Sequence, residues 1–438
     1  MPHLGRPSPI DEFVLPNGLR VLLCPLPESP TASVWVWYRV GSRNEWLGIT
    51  GASHWVEHML FQGSPRYTKG AIDRAIVSVG GTLNAFTDSD FTAYFSIVPR
   101  EHLALPLDIE ADRMTRALFA PEEVERERTV IYSEREGNEN WPEFQAEEEL
   151  YALAFRIHPY RWETLGHKED IRNLTPDQLA SYYRRFYGPK NAILVIAGGL
   201  DPVTTRDQVE AMFSPLPAEG DDPRVSAVEP APRGERRGSL SGPGTTPFLR
   251  IGWRAPAFAD PSTPAVMLLD VILGGETRLF TASNSWFRSS EHPSSRLFRS
   301  LVEPGLALRA SSEFRPKLDP GLFTVHAQAA AEVSLDRLEE RIHKEIDRLV
   351  RRGPTRTEIL EARTKVRRGA ELAYEGASRA GFRLGYLATL GASSVEGELL
   401  HRVLTTSPKA VRAAASDIFR PSARTVVRYE PTEVVGDD

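Results

Sequence analysis

His54-Trp55-Val56-Glu57-His58 reads H-W-V-E-H, and the rest of the chain is best read outward from it. On an α-helix, positions i, i+3 and i+4 share one face. His54 and His58 can then offer two imidazole nitrogens to one metal ion, and zinc suits that chemistry. Glu57 lies beside them, where a carboxylate can take a proton from an attacking water. The local sequence predicts the helix this requires. Thr50-Gly51-Ala52-Ser53 supplies turn and N-cap residues before it. Ala52, Trp55, Val56, Met59 and Leu60 are apolar at helical spacing, and Gly63-Ser64-Pro65 stops the run. Apolar neighbours on both sides place the His/Glu face in a half-buried site.

The chain has 438 residues, enough for two or more domains, and a hydrophobic fraction of 41%, ordinary for a globular protein. A net charge of −6 lacks the basic footprint of a nucleic-acid binder. The single cysteine, Cys24, excludes an internal disulfide and sits in the apolar run Val21-Leu22-Leu23-Cys24, where a buried structural thiol is expected. No apolar run approaches the ~20 residues that span a bilayer, and the N-terminal stretch has no apolar core of a secretory signal. A cytoplasmic protein without membrane attachment is the expectation.

Strands are predicted at Leu19 to Leu26 and Ala32 to Val40, then the H-W-V-E-H helix, then a helix from Lys69 to Val79 ending at Gly80-Gly81. Thr82 to Phe86 and Phe91 to Val98 read as a strand pair joined by Thr87-Asp88-Ser89-Asp90. Helices are expected from about His102 to Leu118 and from Pro121 to about Gly137. From Ser214 to Pro247 the chain is dense in Pro, Gly, Ser and charge, which predicts a linker. The expected division is a catalytic lobe over 1–213, a linker over 214–247 and a second lobe over 248–438. The halves look duplicated. Leu174-Thr175-Pro176 leads to Tyr187-Gly188-Pro189 and the strand from Ala192. Thr406-Ser407-Pro408 leads to Phe419-Arg420-Pro421 and the strand from Arg424. Both intervals run thirteen positions from proline to proline. H-W-V-E-H has no copy in the second half. Two homologous α+β lobes facing each other, one catalytic and one not, follow from this pattern.

A catalytic zinc usually takes three protein ligands and keeps one position open. The order H-x-x-E-H, reversed from H-E-x-x-H, is the inverzincin signature. The third ligand must come from elsewhere, and PEEVERERTVIYSEREG, Pro121 to Gly137, is the richest candidate. Glu127, Ile131 and Glu134 share one helical face flanked by Val124 and Val130, whereas Glu123, Glu125 and Glu136 lie away from it. A carboxylate turned inward needs a partner, and a metal is a good one.

With a glutamate 76 positions after His58 in the context ERERTVIYSERE, the chain resembles the insulinase (pitrilysin) family of zinc metallopeptidases, in its bacterial processing-peptidase-like branch. PNGLRVLL, GSRNEWLGITGASHWVEHMLFQGSPRY, GGTLNAFTDSDFTAYF and YGPKNAILVIAGGLDP carry the resemblance along most of the chain. It implies one zinc per chain held by His54, His58 and Glu134, with Glu127 orienting the site and Glu57 as general base. It implies mainly antiparallel sheets covered by helices, on either side of a chamber that takes peptides or unfolded segments. Asn84-Ala85-Phe86 would be an open strand edge to which substrate adds. Four lobes build the chamber, so a dimer is implied, either of this chain alone or with a homologous subunit. In the second half the family often shows S-R-L-F and then G-L-A-Y, whose Arg and Tyr reach the substrate. Here Ser295-Arg296-Leu297-Phe298 keeps the arginine, with Arg278-Leu279-Phe280 competing for the match. Gly305-Leu306-Ala307-Leu308 puts leucine where tyrosine is expected, and Glu276 to Pro293 reads as an insertion. A partner subunit would then supply the Arg/Tyr pair. The rival reading is a non-catalytic structural subunit of the same fold, which usually lacks zinc ligands.

Overall fold

A computed structural model of the chain describes residues 10–221, 223–275, 293–372, 375–391 and 396–432. The described residues of Met1–Glu136, Trp162–Ala227 and Ala373–Ser394 make one compact unit, and those of Gly137–Arg161, Val228–Leu372 and Val395–Asp438 a second. Strands β1 (Asp11–Val14), β2 (Arg20–Pro25), β3 (Thr31–Tyr38), β4 (Thr82–Thr87), β5 (Thr92–Pro99) and β6 (Ala192–Gly198) form the first sheet, in the order β1-β2-β6-β3-β5-β4. Strands β7 (Arg236–Pro243), β8 (Phe248–Arg254), β9 (Ala307–Phe314), β10 (Leu322–Ala329) and β11 (Arg424–Thr432) form the second, in the order β7-β11-β8-β10-β9.

The two sheets repeat one plan. Read from β2 and from β7, the spatial order is the same, with each strand five places later in the second unit. Each has one parallel pair, β2 with β6 and β7 with β11, and is otherwise antiparallel. The proline-to-proline repeat leads into the matching strands β6 and β11. In both copies a hydroxyl caps the helix that precedes the strand, Thr175 accepting from the Gln178 amide and Ser407 from the Ala410 amide. Where the first unit has the helix Ala52–Met59 between β3 and β4, the second has Thr263–Leu273 between β8 and β9. All eleven of its residues are buried, and it carries no histidine.

Two features depart from the expected division. The segment taken as a linker contains β7, whose Arg-Arg-Gly-Ser-Leu-Ser-Gly-Pro has no apolar alternation. An edge strand can have such a composition, because it is held by backbone pairing with β11 along one side only. Each unit also takes a helix from the other half of the sequence. Pro142–Ala154 packs on β7, β8 and β11, and Ala377–Thr389 packs on β3 and β6. The break at 214–247 therefore does not separate the units by itself.

The first sheet is covered on both faces, which explains the near-continuous apolar run of β3. Val34, Val36 and Tyr38 join the core that contains Trp55, Val56 and Met59 of the helix Ala52–Met59. Trp35 and Trp37 point to the other face and meet Phe382 of Ala377–Thr389, with ring centroids 5.9 Å and 5.6 Å away. No helix among the described residues is long and apolar enough to cross a membrane.

Candidate active site

The helix Ala52–Met59 is set by what holds its start. Gly51 precedes it with φ 89°, a left-handed conformation that side chains disfavour. A Cβ at Gly51 would also lie 2.6 Å from the Leu165 carbonyl oxygen. The cap expected from a Thr50 or Ser53 hydroxyl is absent. Ser53 instead bonds the Tyr182 hydroxyl at 2.8 Å, and the Thr50 hydroxyl donates to Asp170 at 2.6 Å. Glu45 does the capping: its two carboxylate oxygens accept from the Gly51 and Ser53 amides, both at 2.8 Å. Burial is the main influence on that carboxyl and pushes it up to about 8, against the pull of the two amides. The Arg128 guanidinium also stacks over Trp55 at 4.7 Å.

With its rotation fixed, the helix presents His54, Glu57 and His58 to the helix Pro121–Glu139 and to the end of β4. Glu134 Oε2 lies 3.7 Å from His54 Nε2 and 3.6 Å from His58 Nε2. These separations are too long for hydrogen bonds. They suit ligands of a common ion, since bonds of ~2.05 Å in a tetrahedron leave ligand atoms ~3.3 Å apart. Ligand atoms of His54, His58 and Glu134 all lie within 4.8 Å of one another. His58 Nδ1 bonds Glu127 Oε1 at 2.8 Å, so a proton held there leaves Nε2 as a free lone pair. Burial, reinforced by His58, lowers His54 to about 3 and keeps its imidazole neutral, the state that binds metal. Burial also acts to lower His58, but the Glu127 hydrogen bond and the charges of Glu57, Glu127 and Glu134 outweigh it and raise the pKa. The donor set therefore fits zinc: two imidazoles and a carboxylate, with a second carboxylate behind one ring.

Glu57 is buried beside these ligands. Desolvation pushes its carboxyl up to about 7, while the Thr87 hydroxyl, donating at 2.6 Å, restrains it. A carboxyl poised near neutrality can both take and return a proton.

Residues 20–168, which hold every residue of this cluster, match the model of the insulinase peptidase family M16, and 173–366 match that of the peptidase M16 inactive domain. An uncharacterized zinc protease of Streptomyces coelicolor is 30% identical over 93% of this chain and 87% of its own. The chain belongs to the insulinase family of peptidases. A "probable mitochondrial-processing peptidase subunit beta" of Arabidopsis thaliana is 28% identical, over 92% of this chain and 75% of its own. The crystal structure of a protease from Helicobacter pylori has the same fold, with a TM-score of 0.88 at 24% identity over 97% of this chain and 100% of that one. Relatives named zinc proteases agree with the donor set.

Within this insulinase-family chain, the structure brings His54, Glu57, His58, Glu127 and Glu134 together, as the helical phases predict. Glu136 points elsewhere and lies 3.8 Å from Lys168 Nζ. Asn84, Ala85 and Phe86 lie on β4, which among the described residues pairs with β5 alone and is an edge of the sheet. Arg296 departs from expectation. Its guanidinium bonds both oxygens of Glu358, at 2.7 and 2.9 Å, and also Glu345 and the Gly353 carbonyl. In this chain the guanidinium is engaged in internal ion pairs, where S-R-L-F suggests a substrate contact. The competing Arg278, like most of the expected insertion, lies outside the described residues. Leu308 is 53% exposed on β9.

The sequence reading missed Glu45 and Thr87. Thr87 was assigned to the hairpin connection, but β4 extends to include it. Glu45 could have been suspected, because a glycine-started helix needs an acceptor from elsewhere.

Proposed function

We propose that this chain is a zinc-dependent endopeptidase that cuts peptides or unfolded segments, with His54, His58 and Glu134 as zinc ligands. The observation that carries the reading is the convergence of two imidazoles and Glu134 beside a buried carboxylate, Glu57. Zinc bound there would polarise the scissile carbonyl and make a water more acidic. Glu57 accepts the proton of that water and returns it to the leaving amine. Glu127 holds the His58 ring by its Nδ1 and keeps Nε2 toward the site. The edge of β4 offers backbone pairing to an extended substrate and would place the scissile bond next to the helix Ala52–Met59. The second unit takes no part in the chemistry, consistent with an apolar helix at the matching position.

We also infer a dimeric chamber, since one chain supplies two of four lobes. Leu308 cannot donate the hydrogen bond of a tyrosine, and Arg296 is engaged internally. This favours a homologous partner that supplies those groups over a self-sufficient homodimer. The intact ligand cluster argues against the rival reading of a purely structural subunit. Glu57→Gln tests the catalytic assignment. The amide keeps the shape but cannot act as a base, so zinc content should be unchanged while peptide turnover falls by ~10²–10⁴. Near-normal turnover of zinc-loaded Glu57→Gln would remove Glu57 from the mechanism.

A further inference from the structure

Behind Glu57 lies a row of buried hydroxyls whose protons are committed in sequence. The Thr87 hydroxyl is 2.6 Å from Glu57 Oε2 and 3.5 Å from Thr92 Oγ1. Thr92 gives its own proton to the Val40 carbonyl at 2.9 Å. Its lone pairs then face the Tyr187 hydroxyl at 3.2 Å, and Tyr187 also reaches the Ser53 carbonyl at 3.3 Å. Thr92 and Tyr187 are fully buried and Thr87 nearly so, so water does not compete for these bonds. Thr87 has one proton and one near acceptor, the carboxylate. Glu57 Oε1 has no hydrogen-bond partner among the described residues.

We propose that Thr87 is the positioning residue for the general base: it pins Oε2 of Glu57 and so turns Oε1 toward the attacking water. This rests on Glu57 being that base. Thr87 closes β4, the strand that carries Asn84-Ala85-Phe86. The substrate edge and the support of the base are therefore one rigid element, and a peptide paired along β4 is held in register with Glu57. A base free to rotate would spend much of its time off line, which lowers the rate without weakening substrate binding.

Thr87→Val tests this on the full chain. Valine keeps the shape and β-branching of threonine and suits a strand. Turnover (kcat) should fall about 10- to 100-fold, the usual loss when support behind an active-site group is removed. KM, zinc affinity by titration, and Tm should stay near wild type. Thr87→Ser, which retains the hydroxyl, should restore most of kcat. In a Glu57→Gln background the Thr87→Val change should have no further effect on residual turnover, because Thr87 acts through Glu57. Wild-type kcat in Thr87→Val, or an equal loss in Thr87→Ser, overturns the positioning role. An active Glu57→Gln enzyme instead overturns the reading on which it rests, so the two failures are distinguishable.

Discussion

Replacing Glu45 by glutamine should loosen the metal helix although Glu45 touches no ligand. In the native chain both of its oxygens accept amide protons at 2.8 Å, from Gly51 and Ser53. Among the described residues the start of the helix has no other side-chain cap, because Gly51 has no side chain and the Ser53 hydroxyl is taken by Tyr182. Glutamine keeps one acceptor and turns an NH2 group toward the second amide. One buried N–H is left without a partner, a loss of ~1–3 kcal/mol. For a unit of this size that corresponds to ~2–4 °C of Tm per kcal/mol. Ser53 adjoins His54, so a frayed first turn displaces a ligand, and zinc affinity should fall by roughly 10-fold. Thermal unfolding of the metal-free protein and a zinc titration measure the two effects. There is also a pH signature. The Glu45 carboxyl is raised from 4.5 to about 8 in the folded chain, with burial the largest cause. A raised carboxyl stabilises the fold fully below 4.5 and loses that contribution as pH rises to about 8. The stability advantage of wild type over Glu45→Gln should therefore shrink across that window. A Glu45→Gln protein with wild-type Tm and zinc affinity would refute the capping argument.

Two further expectations follow from the geometry. Glu134→Ala should lose most zinc affinity and Glu136→Ala almost none, with Glu127→Ala between them at about 10- to 100-fold. A titration in which Glu136 is the sensitive residue would mean that the helix Pro121–Glu139 is wrongly phased. On the far face of the first sheet, Gly385→Ala would put a Cβ 1.9 Å from Trp37 Nε1, within a contact that cannot open without moving the helix Ala377–Thr389. It should cost about 1–3 kcal/mol, read as a lower Tm, and an unchanged Tm would show that this packing is looser than described.

The His/Glu cluster was legible in the sequence because its parts are local. His54, Glu57 and His58 share a face by helical spacing alone, and so do Glu127 and Glu134 on their own helix. The duplication was legible for the same reason, since proline, capping hydroxyl and strand recur at matching intervals. Tertiary structure decided what depends on distant partners. Spacing could not show that Thr87 donates to Glu57, because the two are 30 positions apart and meet only when β4 lies beside the helix Ala52–Met59. Nothing in S-R-L-F marks the ion pairs of Arg296; Glu345 and Glu358, on two later helices, meet it only in the folded chain. Nor could periodicity reveal that each sheet is covered by a helix from the other half. An apolar helix face records that it must be buried, but the surface that buries it is chosen only when the chain has folded.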